Sequence, residues 1–173
     1  AILTAAIVIA EEYQVALMAP TEILAEQHYL SIKKYCNQVN IDCAIITSNT
    51  SVKEKKITLN KLKTGEIQFI IGTHSLIQDK VTFNKLGLII IDEQHRFGVE
   101  HRKLLVAKGL NPEILAMTAT PIPRTLSITL HGDMDISIID ELPKNRIPIQ
   151  TELIEPSKIT AAYQKIKTEI NNG

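Results

Sequence analysis

Leu88-Ile89-Ile90-Ile91-Asp92-Glu93-Gln94-His95 is an apolar run that stops at two adjacent carboxylates. An unbroken stretch of branched aliphatics suits a parallel strand covered on both faces, and in open parallel sheets the active groups gather at the carboxyl ends of strands. The pattern predicts a buried strand that delivers an acidic pair to one edge of a sheet. An Asp at that place suits magnesium, which prefers hard oxygen ligands and keeps most of its waters. A neighbouring Glu can polarise a water for attack on a terminal phosphate. Read alone, the segment fits equally well a core strand followed by solvated acids.

Other segments repeat the pattern. Thr118-Ala119-Thr120-Pro121 closes a second apolar stretch, Ile114-Leu115-Ala116-Met117, so another strand end carries hydroxyls that Asp92 or His95 can accept. Upstream, Met18-Ala19-Pro20-Thr21-Glu22-Ile23-Leu24-Ala25-Glu26-Gln27-His28 ends a strand and opens a helix, and Ile70-Ile71-Gly72-Thr73-His74-Ser75 ends a further strand. Periodicity and turn residues predict helices at 1–12, 21–36, 51–63, 99–110 and 124–130. They predict strands at 14–19, 42–47, 68–72, 88–92, 113–118 and 135–139. Alternation of this kind implies an α/β fold, a parallel sheet with helices on both faces, and right-handed crossovers then bring the strand ends to one edge.

Pro143 and its polar neighbours interrupt the pattern, so the reading divides the chain into 1–142 and 143–173. In the second part, 147–154 reads as a strand and 157–170 as a helix with Ile159, Ala162, Tyr163 and Ile166 on one face.

Composition narrows the class. The chain has 173 residues, 45 % hydrophobic and 22 % charged, which is globular and leaves room for one sizeable core. Its 19 basic residues balance 19 acidic ones, which argues against a binder that works by bulk electrostatics, so any contact with DNA must be local. Lys53, Lys55, Lys56, Lys61 and Lys63 read as a solvated face of a helix capped by Ser51 and ended by Gly65. The apolar start, 1–10, is too short to span a bilayer and runs into Glu11-Glu12, which implies a cytoplasmic protein with no membrane partner. Cys36 and Cys43 lack C-x-x-C spacing, and Cys43 reads as a small apolar strand residue. A zinc site at Glu93 and His95 fails for want of a second ligand at H-E-x-x-H spacing.

The order and spacing of these segments resemble the first motor domain of superfamily 2 helicases. Within that group, Asp92-Glu93-Gln94-His95-Arg96-Phe97-Gly98-Val99 and Met117-Thr118-Ala119-Thr120-Pro121-Ile122-Pro123-Arg124-Thr125 resemble the RecG family of bacterial branched-DNA translocases. The transcription-repair coupling translocases share Arg96-Phe97-Gly98 and the Thr-Ala-Thr-Pro string but differ after Glu93. The primosomal helicases lack the Arg-Phe-Gly continuation.

The resemblance implies a RecA-like, P-loop NTPase type of sheet and an ATP-dependent helicase that remodels stalled forks and Holliday junctions in repair and recombination, using ATP and magnesium. It implies that Asp92 holds magnesium and Glu93 activates water, and that Gln94, His95, Thr118 and Thr120 couple hydrolysis to DNA movement. Pro20, Thr21, Gly72, Thr73, His74 and Arg124 would contact the DNA; helix amino termini such as Pro20-Thr21 suit phosphate in any case.

No Gly in this sequence is followed by Lys, so the phosphate-binding loop is expected to lie before Ala1, with the second motor domain and a wedge domain elsewhere in the parent chain. The fragment alone is then expected to be inactive. Two rival readings are a non-catalytic DNA-binding or interaction module that keeps the fold, and a transcription-repair coupling translocase.

Overall fold

The computed structural model describes residues 1–119, 135–141, 149 and 151–172, with the backbone alone for His95, Val99 and Asn172. In chain order the elements are α1 (Ile2–Ala10), β1 (Gln14–Met18), α2 (Glu22–Gln38), β2 (Cys43–Ile46), α3 (Val52–Thr64), β3 (Phe69–Gly72), β4 (Leu86–Asp92), α4 (Val99–Val106), β5 (Glu113–Met117) and α5 (Ile159–Asn172). Short 3-10 turns follow β3 at His74–Ile77 and β4 at Gln94–Arg96, and another precedes α5 at Pro156–Lys158. The contacts divide the chain into Ala1–Leu126 and Ser127–Gly173.

In the first unit five strands form a sheet in the order β2-β3-β1-β4-β5. Every pairing is parallel. After β1 the chain steps outward past the later place of β3, and every subsequent connection steps back the other way. With right-handed crossovers a change of direction sends the connecting helix to the opposite face of the sheet. The two halves of the core record this. Val15 and Leu17 of β1 and Leu88 and Ile90 of β4 pack with Ala5 and Ile9 of α1 and with Ala25, Ile32 and Cys36 of α2. Ala16, Met18, Ile89 and Ile91 pack on the other face with Leu62 of α3, Leu76, Phe97 and Leu105 of α4. Strand alternation thus gives Asp92 the same face as Leu88 and Ile90, the side of α1 and α2.

Local chemistry fixes the element ends. Thr21 caps α2 by accepting from Leu24 N at 3.3 Å. Ser51 and Glu54 form a reciprocal capping box on α3, which ends at Gly65 in the left-handed region at φ 87°. Gln14, 3 % exposed, fastens β1 to its surroundings. Its Nε2 donates to Leu62 O at 2.8 Å and Ile67 O at 2.7 Å, and its Oε1 accepts from Asn84 N at 2.7 Å and Lys85 N at 3.0 Å.

The structure departs from the sequence reading in several places. Strand β4 begins at Leu86, before the aliphatic run, and α4 stops at Val106. Residues 135–139 are not in a strand, and neither are the described residues of 147–154. Ile136, Ile138, Ile139, Ile149 and Leu153 are all exposed. An alternating apolar run becomes a strand only where another strand completes its hydrogen bonds, and none does here among the described residues. The expected helix at 124–130 lies outside the described residues. In the second unit α5 forms as expected, leaves Ile159, Tyr163 and Ile166 exposed, and its Lys165 pairs with Glu152 at 2.7 Å.

Candidate active site

Strand β4 ends at Asp92, in register with Met117 of β5. The next residue, Glu93, takes the left-handed conformation at φ 49°, ψ 56°. The backbone then tightens into the 3-10 turn, with Glu93 O accepting from Arg96 N at 2.8 Å and Gln94 O from Phe97 N at 3.0 Å. Phe97, 5 % exposed, anchors the turn in the core on the α3 and α4 side. This geometry separates the two carboxylates. Thr118 Oγ1, just past β5, donates to Glu93 Oε2 at 3.0 Å. Asp92 Oδ2 instead lies 2.7 Å from His28 Nε2 of α2, and because a carboxylate accepts, the imidazole N–H donates. The adjacent acids therefore address different neighbours, a division suited to two different tasks.

The loops after β1, β2 and β3 form a continuous edge beside this pair. Ala19 N donates to Gly72 O at 2.9 Å, which ties the loop after β1 to the end of β3. Only Gly fits at position 72, since a Cβ would stand 2.6 Å from Ile46 O. Glu22, in the first turn of α2, accepts from Ser48 N at 2.8 Å and Asn49 Nδ2 at 2.7 Å, and also from the Ser48 hydroxyl. The Ser48 hydroxyl, and then the Ser48 backbone N–H, hold its carboxyl below the usual range. Gly72 and Thr73 are buried while His74 is exposed at the surface. The His74 ring meets His101 edge-on at 4.8 Å and Phe97 at 5.3 Å. Partial desolvation, and then the apposed His101, push His74 below the usual imidazole range.

Residues 1–128 match the DEAD/DEAH box helicase family. The chain belongs to that family. It is 48 % identical over 161 residues to the ATP-dependent DNA helicase RecG of Synechocystis, covering 93 % of this chain and 19 % of the relative. It is 49 % identical to the Aquifex aeolicus RecG, covering 100 % of this chain and 22 % of the relative. It is 52 % identical to the Streptococcus pneumoniae RecG, covering 93 % and 24 %. The chain thus spans 19 % to 24 % of the length of these relatives. A solved structure of RecG bound to a three-way DNA junction superposes with a TM-score of 0.75 at 40 % identity, over 93 % of this chain and 21 % of that one. The helicase MrfA bound to DNA and AMPPNP, 13 % identical with a TM-score of 0.59 over 76 % of this chain and 19 % of that one, shares the fold. The RecG resemblance and the parallel α/β, RecA-like sheet read from the sequence are both borne out.

Against this family frame, the structure gathers Asp92, Glu93 and Thr118 at neighbouring strand ends and sets Gln94 and the His95 backbone in the turn that follows. Pro20, Thr21, Gly72, Thr73 and His74 fall on the adjoining loops. Thr120 and Arg124 lie outside the described residues. Among the described residues Thr118 donates to Glu93, a partner the sequence reading did not name. His28 escaped that reading too: it stands in the quoted helix motif, but nothing local signals a partner 64 residues away. The left-handed Glu93 was equally invisible, because no Gly or Asn marks the position. The α3 lysines lie at the surface, Lys55 partly covered, as the solvated-face reading expects. Cys36 and Cys43 are free thiols packed on the α2 side of the core. Among the described residues no helix is long and apolar enough to cross a membrane.

Proposed function

We propose that this chain is the first motor domain, residues 1–142, and the linker and opening of the second, residues 143–173, of an ATP-dependent DNA translocase that remodels branched DNA. The observation that carries the reading is the divided acidic pair: Glu93 is held by Thr118 at 3.0 Å while Asp92 faces the α1 and α2 side of the sheet. Helicase relatives named RecG, one of them solved on a three-way DNA junction, support DNA forks and junctions as the substrate.

In this reading Glu93 orients and deprotonates the water that attacks the terminal phosphate of ATP. Asp92 supplies an oxygen to magnesium, which when bound offsets the phosphate charge. The Asp92 carboxylate at the strand end suits that ion, because magnesium characteristically takes one or two carboxylates and completes its shell with waters and phosphates. Thr118 joins the water-side carboxylate to the end of β5, and with Gln94, His95 and Thr120 it transmits hydrolysis toward DNA. The contiguous loops at Pro20-Thr21 and Gly72-Thr73-His74, with Arg124, grip the sugar-phosphate backbone without reading sequence.

The test is ATP turnover and fork unwinding by the whole protein, with forked, duplex and single-stranded DNA compared. Glu93→Gln is expected to keep ATP and DNA binding and to lower turnover by about 10²–10⁴, the usual contribution of a general base. Near-normal turnover in that variant would remove Glu93 from the role.

A further inference from the structure

Asp92 makes its bond to His28 from a place the fold sets apart. Strands β1 and β4 are neighbours whose onward connections leave in opposite directions, which opens a crevice beyond their carboxyl ends. The helix that follows β1 carries His28, and β4 ends on Asp92, so the 2.7 Å bond spans that crevice. Its length is at the short end of the range for bonds in which one partner is charged.

Three features make this more than a surface pairing. The two side chains are 28 % and 18 % exposed, so water competes for them only weakly. The imidazole comes from an anchored helix: Ala25 and Ile32, three residues before and four after His28, are 0 % and 2 % exposed and lock that face of α2 against the sheet. The bond also engages Oδ2 alone, and Asp92 Oδ1 accepts no hydrogen bond among the described residues. A carboxylate held by one oxygen has its other oxygen aimed. Magnesium demands near-ideal octahedral geometry, so an aimed oxygen binds it better than a freely turning one.

We propose that His28 is a positioning residue for Asp92, setting the carboxylate orientation in which Oδ1 meets the magnesium of the bound nucleotide. The proposal rests on the reading of Asp92 given above. It assigns His28 no contact with the ion or with ATP. Its consequence is specific: losing the imidazole should weaken the response to magnesium and leave the metal-free affinity for nucleotide intact.

The experiment uses the whole protein with His28→Ala, His28→Gln and Asp92→Asn, each checked by thermal melting. Binding of a fluorescent ATP analogue is titrated with magnesium, and ATP turnover is measured over the same magnesium range. Groups that orient a metal ligand are typically worth about 10–100-fold in metal affinity. His28→Ala should raise the half-saturating magnesium concentration by that factor, with unchanged binding in EDTA. His28→Gln, which can place an amide N–H near the Nε2 position, should recover most of the loss. A merely structural role would lower the melting temperature without moving the magnesium dependence, and that result overturns the proposal, as does Gln behaving like Ala. If His28→Ala does not fold, His28→Leu, which fills the site without a donor, replaces it: a shift of about 10–100-fold in the half-saturating magnesium concentration supports the proposal, and wild-type magnesium dependence overturns it. Asp92→Asn separates the two readings. If it keeps wild-type magnesium dependence, the reading of Asp92 falls; if it loses that dependence while His28→Ala does not, only the positioning role falls.

Discussion

Glu93 occupies a backbone conformation that costs a residue with a Cβ about 1–2 kcal/mol relative to Gly. The surrounding structure holds it there. Asp92 is locked in the ladder with β5, Phe97 is plugged into the core, and the left-handed step turns the Glu93 carboxylate toward Thr118. Strain at such a point is the cost of aiming a side chain. Comparing two truncations isolates it, because Glu93→Ala and Glu93→Gly both remove the carboxylate and its bond to Thr118. The Gly variant should be the more stable of the two by about 1 kcal/mol, the left-handed penalty less the extra chain entropy of Gly. Urea denaturation checks this; an Ala variant as stable as Gly would show that the turn relaxes and stores nothing.

Among the elements, β1 is the hub. It lies between β3 and β4, all five of its residues are buried, and its first residue, Gln14, closes four hydrogen bonds to the ends of α3, β3 and β4. Gln14→Leu keeps the bulk and removes the side-chain partner of those four backbone groups, of which Leu62 O still accepts from Gly65 N at 3.2 Å. Given the usual penalty for unsatisfied buried groups, a loss of about 2–4 kcal/mol is expected by urea titration. A loss below ~1 kcal/mol would mean that water or loop movement replaces the clasp.

Helix α2 shows a different kind of burial. Burial against the sheet, reinforced by the neighbouring Cys43, pushes the Cys36 thiol up to about 12 from an ordinary 9.0. A folded-state value above the unfolded one means that this contribution to stability is complete below pH 9.0 and fades as the pH rises from there toward 12. Iodoacetamide at pH 8 should therefore modify Cys36 slowly in the folded chain and at an ordinary thiol rate in urea. Equal rates would contradict the packing described.

For the whole molecule, the sheet's outer strands decide behaviour in solution. Among the described residues β5 has a strand on one side only, its first two residues are exposed, and Ile114 is 36 % exposed. Its sequence, Glu113-Ile114-Leu115-Ala116-Met117, carries neither Lys nor Pro to discourage pairing with another chain. The 173-residue polypeptide should self-associate as its concentration rises, and Ile114→Lys should reduce this. A single monomeric species by sedimentation at all concentrations would refute it. Net neutrality at 19 basic and 19 acidic residues removes the charge repulsion that would otherwise oppose association.

The sequence by itself determined the kinds of element and their approximate ends. Aliphatic runs gave β1, β3 and β4; Thr21, Ser51 and Gly65 marked the limits of α2 and α3; and the acidic pair with the Thr-Ala-Thr-Pro string pointed to the helicase family. These signals are local, because strand and helix periodicities and caps act within a few residues. They misled where the outcome depended on a partner: 135–139 alternates as a strand should, yet no neighbour completes its ladder among the described residues. Tertiary structure alone decided the order β2-β3-β1-β4-β5, the bond from Thr118 to Glu93 across 25 residues and the bond from His28 to Asp92 across 64. Such pairs form because packing α1 and α2 on one face, and α3 and α4 on the other, brings the ends of β1, β4 and β5 side by side. No spacing along the chain encodes that proximity.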